Sequence, residues 1–271
     1  MTGQSQFSHL GKPRHIWTIS AINGDVNRIR QLHHVIKNEF QLGDRIVYTG
    51  NYLGTDTHAD PIAVIDELLR FRRMILRPGM LCEDIAYLRG SQEEVWEKLL
   101  QLHFAPNPQA VLEWMQDKGA VPALRAYGSS FEAGIHAMTG GVVSTARWTS
   151  QLRDQIRQHA GHELFFLQLK RAALTEATTE QAPLLFVHAG IDPKKALSDQ
   201  GDSFWWRAKN FNEISSPFEN FKYVIRGCDP EQNGMYINGV TMSLDDGCGH
   251  DGALTCAEMT QDGDVTALYQ A

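Results

Sequence analysis

With 271 residues, 42% of them hydrophobic, the chain is long enough to bury one large α/β core or two small ones. A formal charge of -7, from 25 Lys plus Arg against 32 Asp plus Glu, argues against a broad nucleic-acid-binding surface and leaves room only for a local basic pocket. The opening MTGQSQFSHLGKPRH has no apolar signal core, and no run of about 18 apolar residues is present to span a bilayer, so a soluble, cytoplasmic protein without membrane contact is expected.

In chain order, HIWTISAI (15–22) predicts a strand that ends at Asn23-Gly24, followed by an amphipathic helix over 26–40. RIVYT (45–49) predicts a second buried strand that stops at Gly50, and Pro61 to Ile75 carries helical spacing of apolar residues. A strand over 85–88 runs into Arg89-Gly90 and a helix over 92–102, and LLFVH (184–188) ends in Ala189-Gly190. Beyond Phe221, strands are expected at 223–226, 235–244, 253–259 and 265–269. The segment from about 104 to 180 reads as a helical insertion or cap on a single domain, with helices over 109–118 and 151–170 flanking a glycine-rich stretch, 134–143. Cysteines 82, 228, 248 and 256 form no CxxC pair and read as reduced thiols.

Ligands of parallel α/β sheets gather at the carboxyl ends of strands, so the turns at Asn23, Asn51, Arg89 and His188 mark the candidate site. In order along the chain the segments there are SAINGDVNRIRQL, GDRIVYTGNYLGTD, YLRGSQEE, FVHAGID and VIRGCDP, with WMQDKGAVPALRAYG, SDQGDSFWWRAKNF and LDDGCGHDGALT between and after them. This series resembles the signatures of the calcineurin-like metallophosphoesterases, in particular the phosphoprotein phosphatase branch that includes bacterial symmetrical diadenosine tetraphosphatases. Those have SDIHGNxxxLxxL, GDxxVxLGDYIDRG, LRGNHE, FVHAGID and VxxGHTP in the same order. The resemblance covers about residues 15–260 and implies an α/β fold: a two-sheet β-sandwich flanked by helices, with a dinuclear metal centre at the strand ends.

The resemblance also locates the groups that such a centre needs. Its metal-ligand positions correspond to Ala21, Asn23, Asn51, Ser91, His188 and Cys228, of which His188 alone keeps the family's residue. The family's Asp-Arg-Gly becomes Gly54-Thr55-Asp56, and its catalytic histidine becomes Gln92. Two divalent cations about 4 Å apart repel by roughly 17 kcal/mol at an effective dielectric of about 20, which anionic ligands must offset. Ala21 offers no ligand and Asn51 only a neutral amide, Gln92 has no useful proton affinity, and Thr55 cannot replace a bidentate guanidinium.

The resemblance read with these substitutions leads to the expectation of a catalytically inactive member with no cofactor, where the family uses two divalent metals such as Mn or Fe/Zn. It would act as a regulatory or scaffold module with a protein partner, and the pocket would take a phosphorylated or nucleotide ligand. The alternative is a phosphoesterase, acting on phosphoproteins or dinucleoside polyphosphates, with a site rebuilt around His188, Cys228 and Asp245. A ligand sensor without a protein partner is a third reading.

Several residues keep two readings. His188 is a residual ligand or a hydrogen-bonded structural histidine, and Cys228 and Cys248 are small core residues, reactive thiols, or with His188 and His250 a zinc site. Arg89, Arg207 and Arg226, with Arg125, bind an anion or form structural ion pairs. Phe204, Trp205 and Trp206 stack a base or fill the core, and Asp245, Asp246 and Asp251 suit a polar turn better than a calcium loop.

Overall fold

The computed structural model describes residues 6–76, 78–206 and 210–271; Arg207 lies outside them. The elements are β1 (Phe7–His9), β2 (His15–Ile19), α1 (Val26–Glu39), β3 (Arg45–Tyr48), α2 (Pro61–Ile75), β4 (Ile85–Tyr87) and α3 (Ser91–Leu100). Helices α4 (Pro108–Asp117), α5 (Val121–Ala126), α6 (Phe131–Thr139), α7 (Gly141–Gln158) and α8 (His162–Gln168) follow. The chain then runs through β5 (Ala172–Leu174), β6 (Leu184–Val187), α9 (Ser203–Trp206), β7 (Tyr223–Arg226), β8 (Tyr236–Ile237), β9 (Thr241–Ser243), β10 (Thr255–Thr260) and β11 (Val265–Gln270).

The strands form two mixed sheets, ordered β1-β5-β6-β7-β9-β8 and β11-β10-β2-β3-β4. Strands β2, β3 and β4 are parallel, as βα crossovers require, and β10 closes antiparallel on β2. Alternate residues explain why the central strands read as unbroken apolar runs. Ile16, Val47, Ala86, Phe186 and Ile225 meet in the layer between the sheets. Their neighbours Trp17, Tyr48 and Tyr87 face α1, α2 and the helical segment, while Leu185, Val187 and Val224 pack with Phe204, Trp205 and Phe211. A strand buried on both faces has no polar side to show.

Local chemistry sets the helix starts that aim the loops. Asp25 caps α1 by accepting from the backbone of Asn27 and Arg28, both at 3.0 Å, and Asp60 caps α2 ahead of Pro61 at its first position. Among the described residues no helix is long and apolar enough to cross a membrane.

The structure departs from the sequence reading in three places. The helix expected over 151–170 is two: α7 ends at Gln158, where His159 turns extended, and α8 restarts after Gly161, which caps it with a φ of +87°. The glycine-rich stretch 134–143 is mostly helical: Gly134 lies inside α6 because a Cβ there would come within 2.7 Å of Leu112 and 2.9 Å of Trp148. A small residue is what lets α4 and α7 approach α6. The strand expected over 235–244 is split by a turn in which Asn238 Oδ1 accepts from the backbone of Val240 at 3.0 Å and Thr241 at 2.7 Å. The helical segment itself ends at Gln168, and β5 returns the chain to the sheet beside β1.

Candidate functional site

The loops leaving β2, β3, β6 and β7 are bonded to one another through their backbones. Ala21 N donates to Gly227 O at 2.8 Å, Ile22 N to Gly50 O at 3.2 Å, and the amides of Gly227 and Cys228 both donate to His188 O. Asn23 and Asn51 hold positive φ angles of 51° and 57°, the left-handed region that asparagine tolerates better than most side chains. This arrangement turns both side chains toward one cleft of about 340 Å³, whose lining includes Asn23, Asn51, Ser91, Gln92, Lys118, Trp206, Cys228, Asp245 and His250.

The approach of the loops leaves no space at Gly227. A Cβ there would fall 1.8 Å from Thr49 Oγ1, which is itself committed to Ile19 O at 2.8 Å. Gly227→Ala is therefore expected to lower stability by about 2 kcal/mol in urea unfolding, as overpacking of a rigid contact does. A loss under about 0.5 kcal/mol would show that the loops separate freely.

Within the cleft the amides bond to each other. Asn23 Oδ1 accepts from Asn51 Nδ2 at 3.2 Å and Gln92 Nε2 at 2.9 Å, and Asn51 Oδ1 accepts from Ser91 Oγ and Gln92 N, both at 3.2 Å. Gln92 Oε1 takes Gly54 N at 2.6 Å, and Asn23 Nδ2 donates to Cys248 O. Each asparagine oxygen thus has both lone pairs engaged inside the protein. Beneath this web lies Glu93, 2% exposed, whose carboxylate accepts from the backbone of Gly90 (2.8 Å), Asn51 (2.9 Å), Tyr52 (2.8 Å) and Leu53 (3.3 Å). Burial pushes its carboxyl above the ordinary range against the pull of those four N–H groups.

His188 is fully buried. Its Nδ1 lies 2.7 Å from Thr49 O, which makes it the protonated nitrogen, and Nε2 has no partner. Burial lowers its pKa to about 4 despite the bond to Thr49. Burial raises the Cys228 thiol far above its usual range and pushes Cys248 up to about 12, so both are protonated and poor nucleophiles near neutrality. Asp245 is also raised by burial, against hydrogen bonds from Asp229 N (2.6 Å) and Gly247 N (2.9 Å).

Of the candidate arginines, Arg89, Arg125 and Arg226 do not line the cleft. Arg226, 1% exposed, pairs with Asp229 at 2.7 Å, donates from Nε to Ser243 Oγ at 3.1 Å and lies over the Phe211 ring at 4.7 Å. Arg89 pairs with Glu94 at 3.2 Å and with Glu97. Arg125 is exposed on α5. Phe204 and Trp205 are core residues, whereas Trp206 is 38% exposed at the cleft, edge-on to Trp114 of α4 at 6.1 Å. Thr55 lines the cleft against the tight Lys118-Gly119 turn, where a Cβ on Gly119 would come within 2.4 Å of it. The helical segment therefore forms one wall, which the sequence reading left open.

These donors do not fit a dinuclear metal centre. Ala21 contributes nothing, the amide oxygens are engaged, and His188 Nε2 is a buried nitrogen without a partner. Among the described residues no group of three or more His, Cys, Asp or Glu is placed to hold a metal ion, the proposed Cys228, Cys248, His188 and His250 set included. Sequence reasoning passed over Glu93, Lys118 and Asp229. A glutamate three residues after Gly90 at the start of α3 is the helix-capping signal that would have found Glu93.

No protein-family model matches the sequence, and no curated protein matches it. Solved structures do. A candidate diadenosine tetraphosphatase superposes with a TM-score of 0.55 at 13% identity, covering 97% of each chain. A protein serine/threonine phosphatase from Saccharomyces cerevisiae, described as similar to human phosphatase PP5, gives 0.50 at 13% identity, covering 99% of this chain and 83% of its own. The two mixed sheets, their flanking helices and this likeness together show that the chain has the metallophosphoesterase-type α/β fold.

Proposed function

We propose that this protein is a cytoplasmic regulatory or scaffold module that uses a phosphoesterase fold to engage a protein partner, and that it does not hydrolyse phosphoesters by a metal-dependent route. The observation that carries the reading is the closed web of Asn23, Asn51, Ser91 and Gln92. Neutral amides, already bonded to one another, stand where the reaction needs carboxylates and a general acid. Free thiols at Cys228, Cys248 and Cys256 suit a reducing compartment. Exposed apolar side chains at Phe104, Val142 and Val143 on the helical segment suit a partner-binding surface. In the cleft, Lys118 and Trp206 are the groups available to a phosphorylated or nucleotide ligand, by charge and by stacking.

The competing reading, a hydrolase with a rebuilt site, draws on the partnerless Nε2 of His188. Assays of p-nitrophenyl phosphate and diadenosine tetraphosphate with added Mn²⁺, together with metal analysis of the purified protein, separate the two. Turnover no faster than the Mn²⁺ blank and well under one metal per chain are expected. Turnover that His188→Ala abolishes would overturn the proposal.

A further inference from the structure

The arginines in the last turns of α2 have different surroundings. Arg70 bonds the Glu67 carboxylate through Nε and Nη2, both at 2.8 Å, and Arg73 is exposed to water. Arg72 is half-buried, its Nε is shut off from solvent without a hydrogen-bond partner, and among the described residues no carboxylate pairs with it. A guanidinium in that position has lost part of its hydration and gained no counter-charge, a costly arrangement that native proteins rarely leave uncompensated.

Arg72 faces a groove of about 440 Å³ that runs between β1, at the edge of one sheet, and β4, at the edge of the other. Ser8, His9 and Lys170 line the same groove, and Glu83, exposed on its wall, is the one carboxylate lining it among the described residues. The groove shares no lining residue with the strand-end cleft. Its chemistry is therefore independent of whether that cleft hydrolyses anything.

We propose that this groove is an oxyanion site, in which Arg72 turns its guanidinium out of the present solvent-shielded position and takes a carboxylate or phosphate group in bidentate fashion through its Nε–H and the adjacent Nη–H. The planar fork of a guanidinium matches two oxygens of such a group, and a water molecule would satisfy one donor without meeting the charge. Ser8 borders the same space with a hydroxyl. Glu83 on the wall disfavours ligands of high negative charge, so a singly charged carboxylate or a phosphate monoester suits it better than a polyphosphate.

The test uses the full chain, with acetate, inorganic phosphate and chloride titrated separately at constant ionic strength. In the wild type the Arg72 Nε–H resonance is expected to shift saturably with phosphate or acetate, and thermal stability to rise with the same midpoint. Whichever of the two acts at lower concentration identifies the source of the oxyanion. Arg72→Gln should weaken apparent affinity at least ten-fold, while Arg73→Gln on the same helix should leave it within two-fold. An equal response to chloride, or saturable binding with the Arg72 Nε–H unmoved, would overturn the proposal. The resonance is read on the unaltered protein, so the outcome stands even where Arg72→Gln does not fold. Hydrolysis or metal binding at the cleft would leave it unaffected.

Discussion

Glu93→Ala is expected to be among the most damaging single substitutions in the chain, lowering stability by about 4 kcal/mol in urea unfolding. The carboxylate is enclosed at the root of α3 and accepts from four backbone N–H groups that come from two different loops. Alanine leaves all four buried and unpaired, at about 1 kcal/mol or more each. Glu93→Gln keeps one oxygen for Tyr52 and Leu53 and turns an NH₂ toward the donors of Asn51 and Gly90, so an intermediate loss of about 2 kcal/mol is expected. A loss below about 1 kcal/mol for the alanine variant would mean that water reaches these amides. Lys98→Ala, which removes the pair of an exposed lysine with Glu94 one turn further along α3 and leaves that carboxylate its bond with Arg89, should change stability by under about 0.5 kcal/mol.

The contrast between Glu93 and the amide web above it bears on how the site is assembled. Glu93 fixes the turn after β3 against the start of α3 by backbone contacts, and those contacts are indifferent to whether Asn51 or a carboxylate sits at the turn. A loop framework shaped like that of a phosphoesterase is therefore compatible with side chains that hold one another. Function follows the side chains, so the fold by itself assigns none.

The local signals in the sequence reach as far as backbone geometry is set by nearby residues. The βα units at 15–39 and 45–75 are legible because a strand buried on both faces and an amphipathic helix each print a periodicity, and Asp25 and Asp60 mark where the helices begin. Strands β1 and β5 leave no such print. Each is three residues long and exists because the two pair in parallel across more than 160 positions of sequence, a contact that no local window contains. The site divides in the same way. The positions of Asn23, Asn51, Ser91, Gln92, His188 and Cys228 at strand ends follow from turns in order. Their mutual hydrogen bonds, and the pairing of Arg226 with Asp229, depend on side-chain directions that only tertiary packing sets. Lys118, in the turn after α4, and Trp206, at the end of α9, reach the cleft from segments whose placement is likewise tertiary.

His188 is expected to give the protein a steep loss of stability in mild acid. In the folded chain its Nδ1–H is taken by Thr49 O, so an added proton goes to Nε2, which is buried with no acceptor. The folded pKa is therefore about 4, against about 6.5 in the unfolded chain. The sign follows from linkage. Between those values the unfolded state binds a proton that the folded state refuses, so stability is full above about pH 6.5, falls as pH drops toward 4 and levels off below it. The difference amounts to about 3 kcal/mol over the whole window. His33 and His162, both lowered chiefly by burial, act in the same direction. Glu67 acts lower: burial opposes ionisation, but hydrogen bonds from His33 and Arg70 hold its carboxyl at about 2, so its contribution is lost only in stronger acid. Urea unfolding at about pH 7 and pH 4.5, in EDTA, isolates His188 when wild type is compared with His188→Gln, since the glutamine cannot titrate. The variant's deficit relative to wild type should be largest at neutral pH, and its pH dependence weaker by about 2–3 kcal/mol. An unchanged slope would place the acid sensitivity elsewhere. If Mn²⁺ in place of EDTA stabilises the wild type at pH 7 and not the variant, Nε2 is a ligand, and the rebuilt hydrolase gains the support that the amide web denies it.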